Sequence, residues 1–392
     1  MTTFISYSGD LDRVGSLVQV MRRHGLRTWR DRDRLGQGSP TQADIESALR
    51  SCDAAMVWLG GNTMSSDFVR NIELPLIFEH HRERRLRIVP LFVDVDVDEG
   101  VEQVRSASGE EVGSHNGYRW DTDRTDDDNF GAITAAEVAA VLATRATPRH
   151  RPVVRLVTRS DGAGGREDAD LNFDWVAEYP GNGELPTDSV VESLREGLHT
   201  SGLALISSFG TGSVDLYLRC HLHLAVALGF EFRRTTGLQP RVELDGHWFD
   251  VAMVEPVASA EQLVTHSDDG PAGSSRVAVE LAVSRDVRPI VNTHVASAGM
   301  GYRRRILIRP PAGPDQQAVN GENFNAWAEQ AANAIRDARS LPGVIDVDVF
   351  LASPVAFAVA LGWRLNAVGG VHLFHPMGNA GPYAPVWDLP PS

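Results

Sequence analysis

Short apolar runs alternate with apolar stripes at helical spacing through the first third of the chain. Phe4-Ile5-Ser6-Tyr7-Ser8 opens as a strand. Leu11, Val14, Leu17, Val18 and Met21 then fall on one helical stripe, which stops at Gly25, a residue suited to a left-handed cap. A charged loop follows, Trp29-Arg30-Asp31-Arg32-Asp33-Arg34-Leu35-Gly36-Gln37-Gly38. Ser39-Pro40-Thr41-Gln42 starts a second helix as a capping box with proline at the first helical position. Ile45, Ala48, Leu49 and Cys52 form its inner face. A strand over residues 54–59 leads through Ser65-Ser66-Asp67-Phe68 to a helix that carries Glu73. Ile88-Val89-Pro90-Leu91-Phe92-Val93 and Asn116-Gly117-Tyr118-Arg119-Trp120 predict two more strands, and residues 132–145 a closing helix. Such alternation predicts an α/β region with a parallel sheet covered on both faces.

Ala146-Thr147-Pro148-Arg149-His150-Arg151-Pro152 is polar, carries two prolines and predicts an inter-domain linker. The apolar run Val153-Val154-Arg155-Leu156-Val157 begins the next unit. That unit contains a repeat: residues 214–229 recur as residues 347–362, an offset of 133, with eight of sixteen positions identical. Each copy reads as a buried strand, a turn and an apolar helix, and each follows a helix pattern, residues 189–200 and 324–340. The period far exceeds that of solenoids. It predicts two duplicated Rossmann-like lobes, about 152–270 and 271–392, behind a first domain of residues 1–146 and a linker at 147–151. Ligands in open α/β sheets bind beyond the carboxyl ends of strands, so two lobes packed face to face would offer one composite pocket.

The length of 392 residues agrees with two or three domains. Lysine and arginine number 37 against 52 acids, a net charge of −15. That balance argues against long DNA or RNA but leaves room for a small nucleotide in a local pocket. Cys52 and Cys220 are the two cysteines, read as buried thiols, and a disulfide scaffold is excluded. No basic-then-apolar leader is visible, and the longest apolar run, residues 222–230, is too short to span a bilayer. A soluble, cytoplasmic protein with no membrane partner is expected.

The first-strand sequence, the charged loop, Glu73 and the strands at 88–93 and 116–120 resemble the Toll/interleukin-1 receptor (TIR) domain over roughly residues 1–146. The resemblance implies a flavodoxin-like fold and, in the members that are enzymes, cleavage of NAD+ between ribose and nicotinamide. NAD+ is then the substrate, and neither a cofactor nor a metal is expected. Glu73 is the implied catalyst. Nicotinamide leaves as a neutral group and needs no proton, so one carboxylate suffices to oppose the positive charge developing on the ribose. The alternative is a solvated helix glutamate. The tryptophan often found four residues before the glutamate is Val69 here, with Phe68 one step earlier, and Pro75 follows inside the helix. The register is therefore open by a turn, with Glu79 and Glu83 as fallbacks. Ser6, Tyr7, Ser8, Arg32, Arg34, Phe68 and Trp120 are the implied NAD+ neighbours, with the guanidiniums suited to the diphosphate and Trp120 to ring stacking. A solvated loop and a core tryptophan are the alternatives.

The repeats ending Ala225-Val226-Ala227-Leu228-Gly229 and Ala358-Val359-Ala360-Leu361-Gly362, the strand over 277–283 and Gly370-Val371-His372-Leu373-Phe374 resemble the SAVED domain, a fused pair of CRISPR-associated-Rossmann-like lobes. The resemblance covers about residues 152–392. It implies a sensor for a cyclic oligonucleotide, a cyclic trinucleotide being expected, in antiviral signalling, with the effector activated by assembly into a homo-oligomer or filament. Cys220, His221, Ser284, Arg285 and Ser353 lie at strand ends and are candidate ligand contacts; Tyr302, Arg303 and Arg304, after the glycines of Gly299-Met300-Gly301, could hold phosphates or form a basic turn. The acids between Asp121 and Asp128 lack the glycine and terminal glutamate of a calcium loop. His221, His223, His372 and His375 have no third ligand at zinc spacing. Asp94, Asp96 and Asp98 read as the solvated face of a strand. Two functions remain: a ligand-gated NAD+ glycohydrolase, or a non-catalytic TIR scaffold recruited by the sensor.

Overall fold

The computed structural model describes residues 2–30, 42–60, 63–84, 86–147, 149–160, 168–179, 181, 184–253, 262–299, 301–315, 319, 323–378 and 381–389. The chain forms two compact units, Met1–Ala146 with Asp168–Phe173, and Thr147–Glu167 with Asp174–Ser392. Among the described residues no helix is long and apolar enough to cross a membrane.

The first unit runs β1 (Thr2–Ser6), α1 (Leu11–Arg23), β2 (Arg27–Trp29), α2 (Gln42–Ser51), β3 (Ala54–Leu59), α3 (Leu74–Arg84), β4 (Arg87–Phe92), α4 (Val97–Ser108), β5 (Tyr118–Arg119) and α5 (Asp126–Arg145). Its sheet has the order β2-β1-β3-β4-β5, every pair parallel. β3 is buried at every position, as a central strand covered on both faces must be. α1 buries Val14, Leu17, Val18 and Met21, and Gly25 turns the chain at φ 79°. Residues 168–173 pack on this turn: the Asn172 N–H donates to the Gly25 carbonyl at 2.7 Å, and Arg145 pairs with Asp170 at 2.9 Å. The capping box at 39–41 lies outside the described residues.

Two acidic stretches differ from expectation for one reason. α5 starts at Asp126 rather than Ala132, because Thr125 and Asp128 form a reciprocal capping box and three acids occupy the first turn. Carboxylates there offset the positive end of the helix dipole. Likewise β4 stops at Phe92, and Asp96 caps α4 by accepting from the Asp98 N–H at 3.0 Å, while Asp94 pairs with Arg13 at 2.6 Å. The aspartates that look like a strand face are therefore helix-start chemistry.

The second unit begins with β6 (Val153–Val157). β7 (Leu171–Asp174) follows, its first three residues grouped with the first unit. Next come α6 (Asp188–Phe209), β8 (Ser213–Arg219), α7 (Leu222–Glu231), β9 (Gln239–Leu244) and β10 (His247–Asp250). The second lobe holds β11 (Val264–Asp269), β12 (Arg276–Ala282), α8 (Arg288–Ala298), β13 (Arg304–Arg309), α9 (Phe324–Arg339), β14 (Asp346–Ala352), α10 (Val355–Arg364), β15 (Val371–Pro376) and β16 (Tyr383–Leu389). The first lobe orders its strands β10-β9-β8-β6, with β8 parallel to both neighbours. The second orders them β11-β13-β12-β14-β15-β16, a parallel centre with an antiparallel strand at each edge.

The repeated helices α7 and α10 cross at their shared glycines. A Cβ on Gly229 would overlap the Val359 carbonyl oxygen and reach within 3.0 Å of the Trp363 nitrogen. One on Gly362 would overlap the Val226 carbonyl oxygen and lie 2.9 Å from the Phe230 nitrogen. Val226 and Val359 are themselves equivalent positions of the repeat, so the two contacts are related by a local two-fold. Both neighbours are backbone, which cannot move aside as a side-chain tip can. Gly229→Ala or Gly362→Ala should therefore destabilise the second unit by about 1–3 kcal/mol through overpacking. Gly15→Ala in α1, where nothing lies within 4 Å, should gain about 0.5–1 kcal/mol from helix propensity. Thermal unfolding of the full chain checks both signs; equal effects at the three positions would contradict the crossing.

Candidate functional site

Each unit contributes one site. In the first, Ser6 closes β1 at its carboxyl end, and its Oγ donates to Glu73 Oε2 at 2.5 Å. Both side chains are buried, and Glu73 retains 4% exposure. Glu73 ends a π-helical turn, Val69–Glu73, that runs straight into α3. Pro75 lies one residue inside α3; in a regular helix its ring would press on the carbonyl four residues earlier, and the widened turn gives that carbonyl room. Val69 is buried and the half-buried Phe68 packs on the same apolar cluster, which fixes the turn against the sheet. Tyr7 and Ser8 continue from Ser6 and are half-buried. Glu79 and Glu83 are exposed on α3, beside His80, Glu46 and Arg50 in a separate surface cavity of about 400 Å³.

Trp120 occupies a different place. It is buried against Phe130 at 5.2 Å and Trp58 at 6.2 Å, with the Arg13 guanidinium 5.2 Å from its ring centre. β5 is three strand positions from β1, roughly 14 Å at ordinary strand spacing. Trp120 itself packs as core, and its strand is not a neighbour of β1. Arg32 and Arg34 lie outside the described residues.

The second site is a cavity of about 190 Å³ between the lobes of the second unit, at the carboxyl ends of their strands. Ser284 and Arg285 reach it from the end of β12, Ser353 from the end of β14, His375 from β15, His223 from the first turn of α7 and Arg159 from beyond β6. Arg159 and Arg285 are exposed and pair with no carboxylate among the described residues. The amino ends of α7 and α10 approach the same space through His223 and Ser353, adding partial positive charge.

A histidine cluster forms one wall. The rings of His221 and His375 meet edge-on at 4.7 Å, and His223 lies 5.3 Å from His375. Tyr179 stacks on His221 at 4.7 Å and its hydroxyl is 3.1 Å from His223 Nε2. Thr158 Oγ1 lies 2.8 Å from His221 Nδ1 and accepts from the His221 backbone N–H at 3.1 Å. Burial holds the imidazoles neutral: His221 is pushed down to about 3, His375 to about 4, and His223 well below its ordinary value. Among the described residues no three histidines, cysteines or acids are arranged to hold a metal ion.

Residues 3–130 match the TIR domain family, and residues 204–389 match SAVED, the SMODS-associated and fused to various effectors sensor domain. The chain carries a TIR domain followed by a SAVED domain. No curated protein matches its sequence. Among solved structures it is similar to the Acinetobacter baumannii Cap4 SAVED/CARF-domain containing receptor with the cyclic trinucleotide 3'3'3'-cAAA. The identity is 14% and the TM-score 0.51, covering 90% of this chain and 87% of that one. The same receptor with 2'3'3'-cAAA gives 15% identity and a TM-score of 0.52, with the same coverage. These structural likenesses show the Rossmann-type SAVED/CARF fold, while the parallel-sheet TIR unit follows from the family match and its strand order.

Of the SAVED residues singled out from sequence, Ser284, Arg285 and Ser353 line the cavity, and His221 supports it through His375. Cys220 does not reach the wall; its thiol is buried and pushed up to about 12 by desolvation. Tyr302, Arg303 and Arg304 stand at the opposite end of the sheet, before β13 or at its start. The Tyr302 hydroxyl donates to buried Asp348 at 2.9 Å, Arg303 to the Ala272 carbonyl at 3.5 Å and Arg304 to Asp269 at 2.6 Å. They are structural contacts, remote from the cavity. Arg159 carries no motif. His223 and His375 are brought together by tertiary contact rather than by ligand spacing.

The cluster gives the SAVED unit an acid sensitivity. Each imidazole has a folded-state pKa below the unfolded value of about 6.5, so the unfolded chain binds protons first as pH falls. Their contribution is complete above about 6.5 and is lost as pH drops toward the folded values of about 3 to 4. Calorimetric scans of the full chain should show the SAVED transition falling between pH 6.5 and 4. A His375→Asn variant should fall less steeply; a slope identical to wild type would contradict the assignment.

Proposed function

We propose that the chain is a cyclic-oligonucleotide-activated NAD+ glycohydrolase that depletes NAD+ in antiphage defence, with the TIR unit as effector and the SAVED unit as sensor. The observation that carries the reading is the buried Glu73 carboxylate, oriented by Ser6 at the carboxyl end of β1. A preorganised carboxylate opposes the cationic ribose of an oxocarbenium-like transition state without reorganising solvent. Ser6 aims it and occupies one lone pair of Oε2. Nicotinamide departs uncharged, and water or a substrate hydroxyl completes the transfer with release of one proton.

On the sensor side, two guanidiniums with no carboxylate partner among the described residues and two helix amino ends suit phosphates, and the imidazole wall with Phe374 suits bases. A cyclic trinucleotide is the ligand class found with the similar Cap4 receptor. Activation is by head-to-tail assembly of ligand-bound chains, since heterologous contacts need not close and can extend to filaments. The competing reading is a TIR scaffold without catalysis. The packing of Trp120 as core rather than as an open stacking face favours it.

Glu73→Gln keeps size and hydrogen bonding but removes the charge. Nicotinamide release should fall on the order of 10²–10³-fold, with cyclic oligonucleotide binding unchanged. Ser6→Ala, which frees the carboxylate to rotate, should cost about tenfold. Wild-type turnover in purified Glu73→Gln would remove the residue from the mechanism.

A further inference from the structure

Among the described residues, four that are not glycine hold a positive φ: Asp10, Asp94, Asp245 and Ala367. The first two meet at one guanidinium. Arg13, in the first turn of α1, donates from Nη1 to Asp94 at 2.6 Å and lies 3.7 Å from Asp10. Its Nε and Nη2 donate to the two oxygens of Asp126 at 3.1 and 3.4 Å, and the guanidinium lies 5.2 Å from the Trp120 ring centre. Asp10 follows β1, Asp94 follows β4, and Trp120 and Asp126 follow β5. One side chain thus gathers the connections after three strands of the sheet, all at the carboxyl edge where Ser6 holds Glu73.

Stability does not account for this arrangement. A left-handed backbone is costly for a residue with a Cβ, and glycine would take the place of Asp10 or Asp94 more cheaply. Ion pairs this exposed return little, since the four side chains keep 29% to 56% of their surface. Asp10 also stands at the N-cap of α1 without capping it, whereas Asp96 and Thr125 cap their helices. What the arrangement fixes is position. Tyr7, Ser8 and Gly9 are held between Ser6 in the sheet and Asp10 at the guanidinium. We propose that Arg13 is a positioning residue of the TIR site, clamping the loop after β1 so that Ser6 keeps the Glu73 carboxylate aimed. The guanidinium fork engages two carboxylates at once in fixed directions, which a lysine ammonium does not. The proposal rests on the glycohydrolase reading above and deepens it.

The test measures nicotinamide release from NAD+ by the full chain, with the most active of a panel of cyclic di-, tri- and tetranucleotides. Asp94→Gly suits the left-handed backbone but removes the carboxylate. Its kcat should fall about tenfold while the TIR unit melts within about 3 °C of wild type. Arg13→Lys, which keeps the charge and loses the fork, should give the same loss. Asp94→Asn keeps an acceptor oxygen and tolerates a positive φ, so it should recover most of the rate. In a Ser6→Ala background, Asp94→Gly should cost less than about twofold more, because both changes act on the same carboxylate. Wild-type turnover in Asp94→Gly and Arg13→Lys, losses that multiply with Ser6→Ala, or a loss that tracks a larger fall in melting temperature overturns the proposal. Each of those results leaves Glu73 as catalyst. A wild-type chain that releases no nicotinamide with any panel member overturns the glycohydrolase reading and this clamp together.

Discussion

The approach of α7 and α10 at Gly229 and Gly362 is the constraint on which the sensor depends. Two helix backbones touch only where neither carries a side chain, and two glycines at equivalent points of a repeat allow that contact twice. The crossing brings together the carboxyl ends of strands from both lobes. A single Rossmann-like lobe leaves the space beyond its strand ends open to solvent. Pairing two of them on this axis closes it into a cavity, so the position of that cavity follows from two hydrogen atoms in place of two methyl groups.

Upon that symmetric backbone the side chains are deliberately unlike. His221 and His223 on the α7 side correspond to Pro354 and Ala356 on the α10 side, and Cys220 to Ser353. One lobe thus supplies the neutral imidazole wall, while Arg285 and Ser353 come from the other. The chain as a whole is acidic, yet the cavity carries two arginines with no carboxylate partner among the described residues, so positive charge there is local rather than global. The TIR site rests on a comparable economy: one serine at a strand end and a widened helical turn hold one carboxylate in a buried position.

Elements with a strong period were legible from sequence. The α1 stripe, the fully buried β3 and both copies of the repeat appear where their apolar spacing places them. The start of α5 was hidden because consecutive aspartates look like a loop until Thr125 is recognised as a cap. Glu73 was legible through its surroundings, but its register was not, since a π-turn leaves no mark in a 3.6-residue period. His375 could not be joined to His221 and His223, because only the lobe packing brings β15 to α7. Of the two readings open for Tyr302, Arg303 and Arg304, a phosphate site or a basic turn, the topology favours the turn. A basic stretch that precedes a parallel strand lies at its amino end, away from the edge where such sheets bind ligands.

The account couples one cavity to one carboxylate, and its most direct test is nicotinamide release by the wild-type chain over a panel of cyclic di-, tri- and tetranucleotides, with binding stoichiometry measured on the same samples. The account predicts negligible turnover without ligand, strong turnover with a member that binds once per chain, and specific activity that rises with protein concentration. Equal NAD+ cleavage with and without every ligand, or no cleavage despite stoichiometric binding, would contradict it.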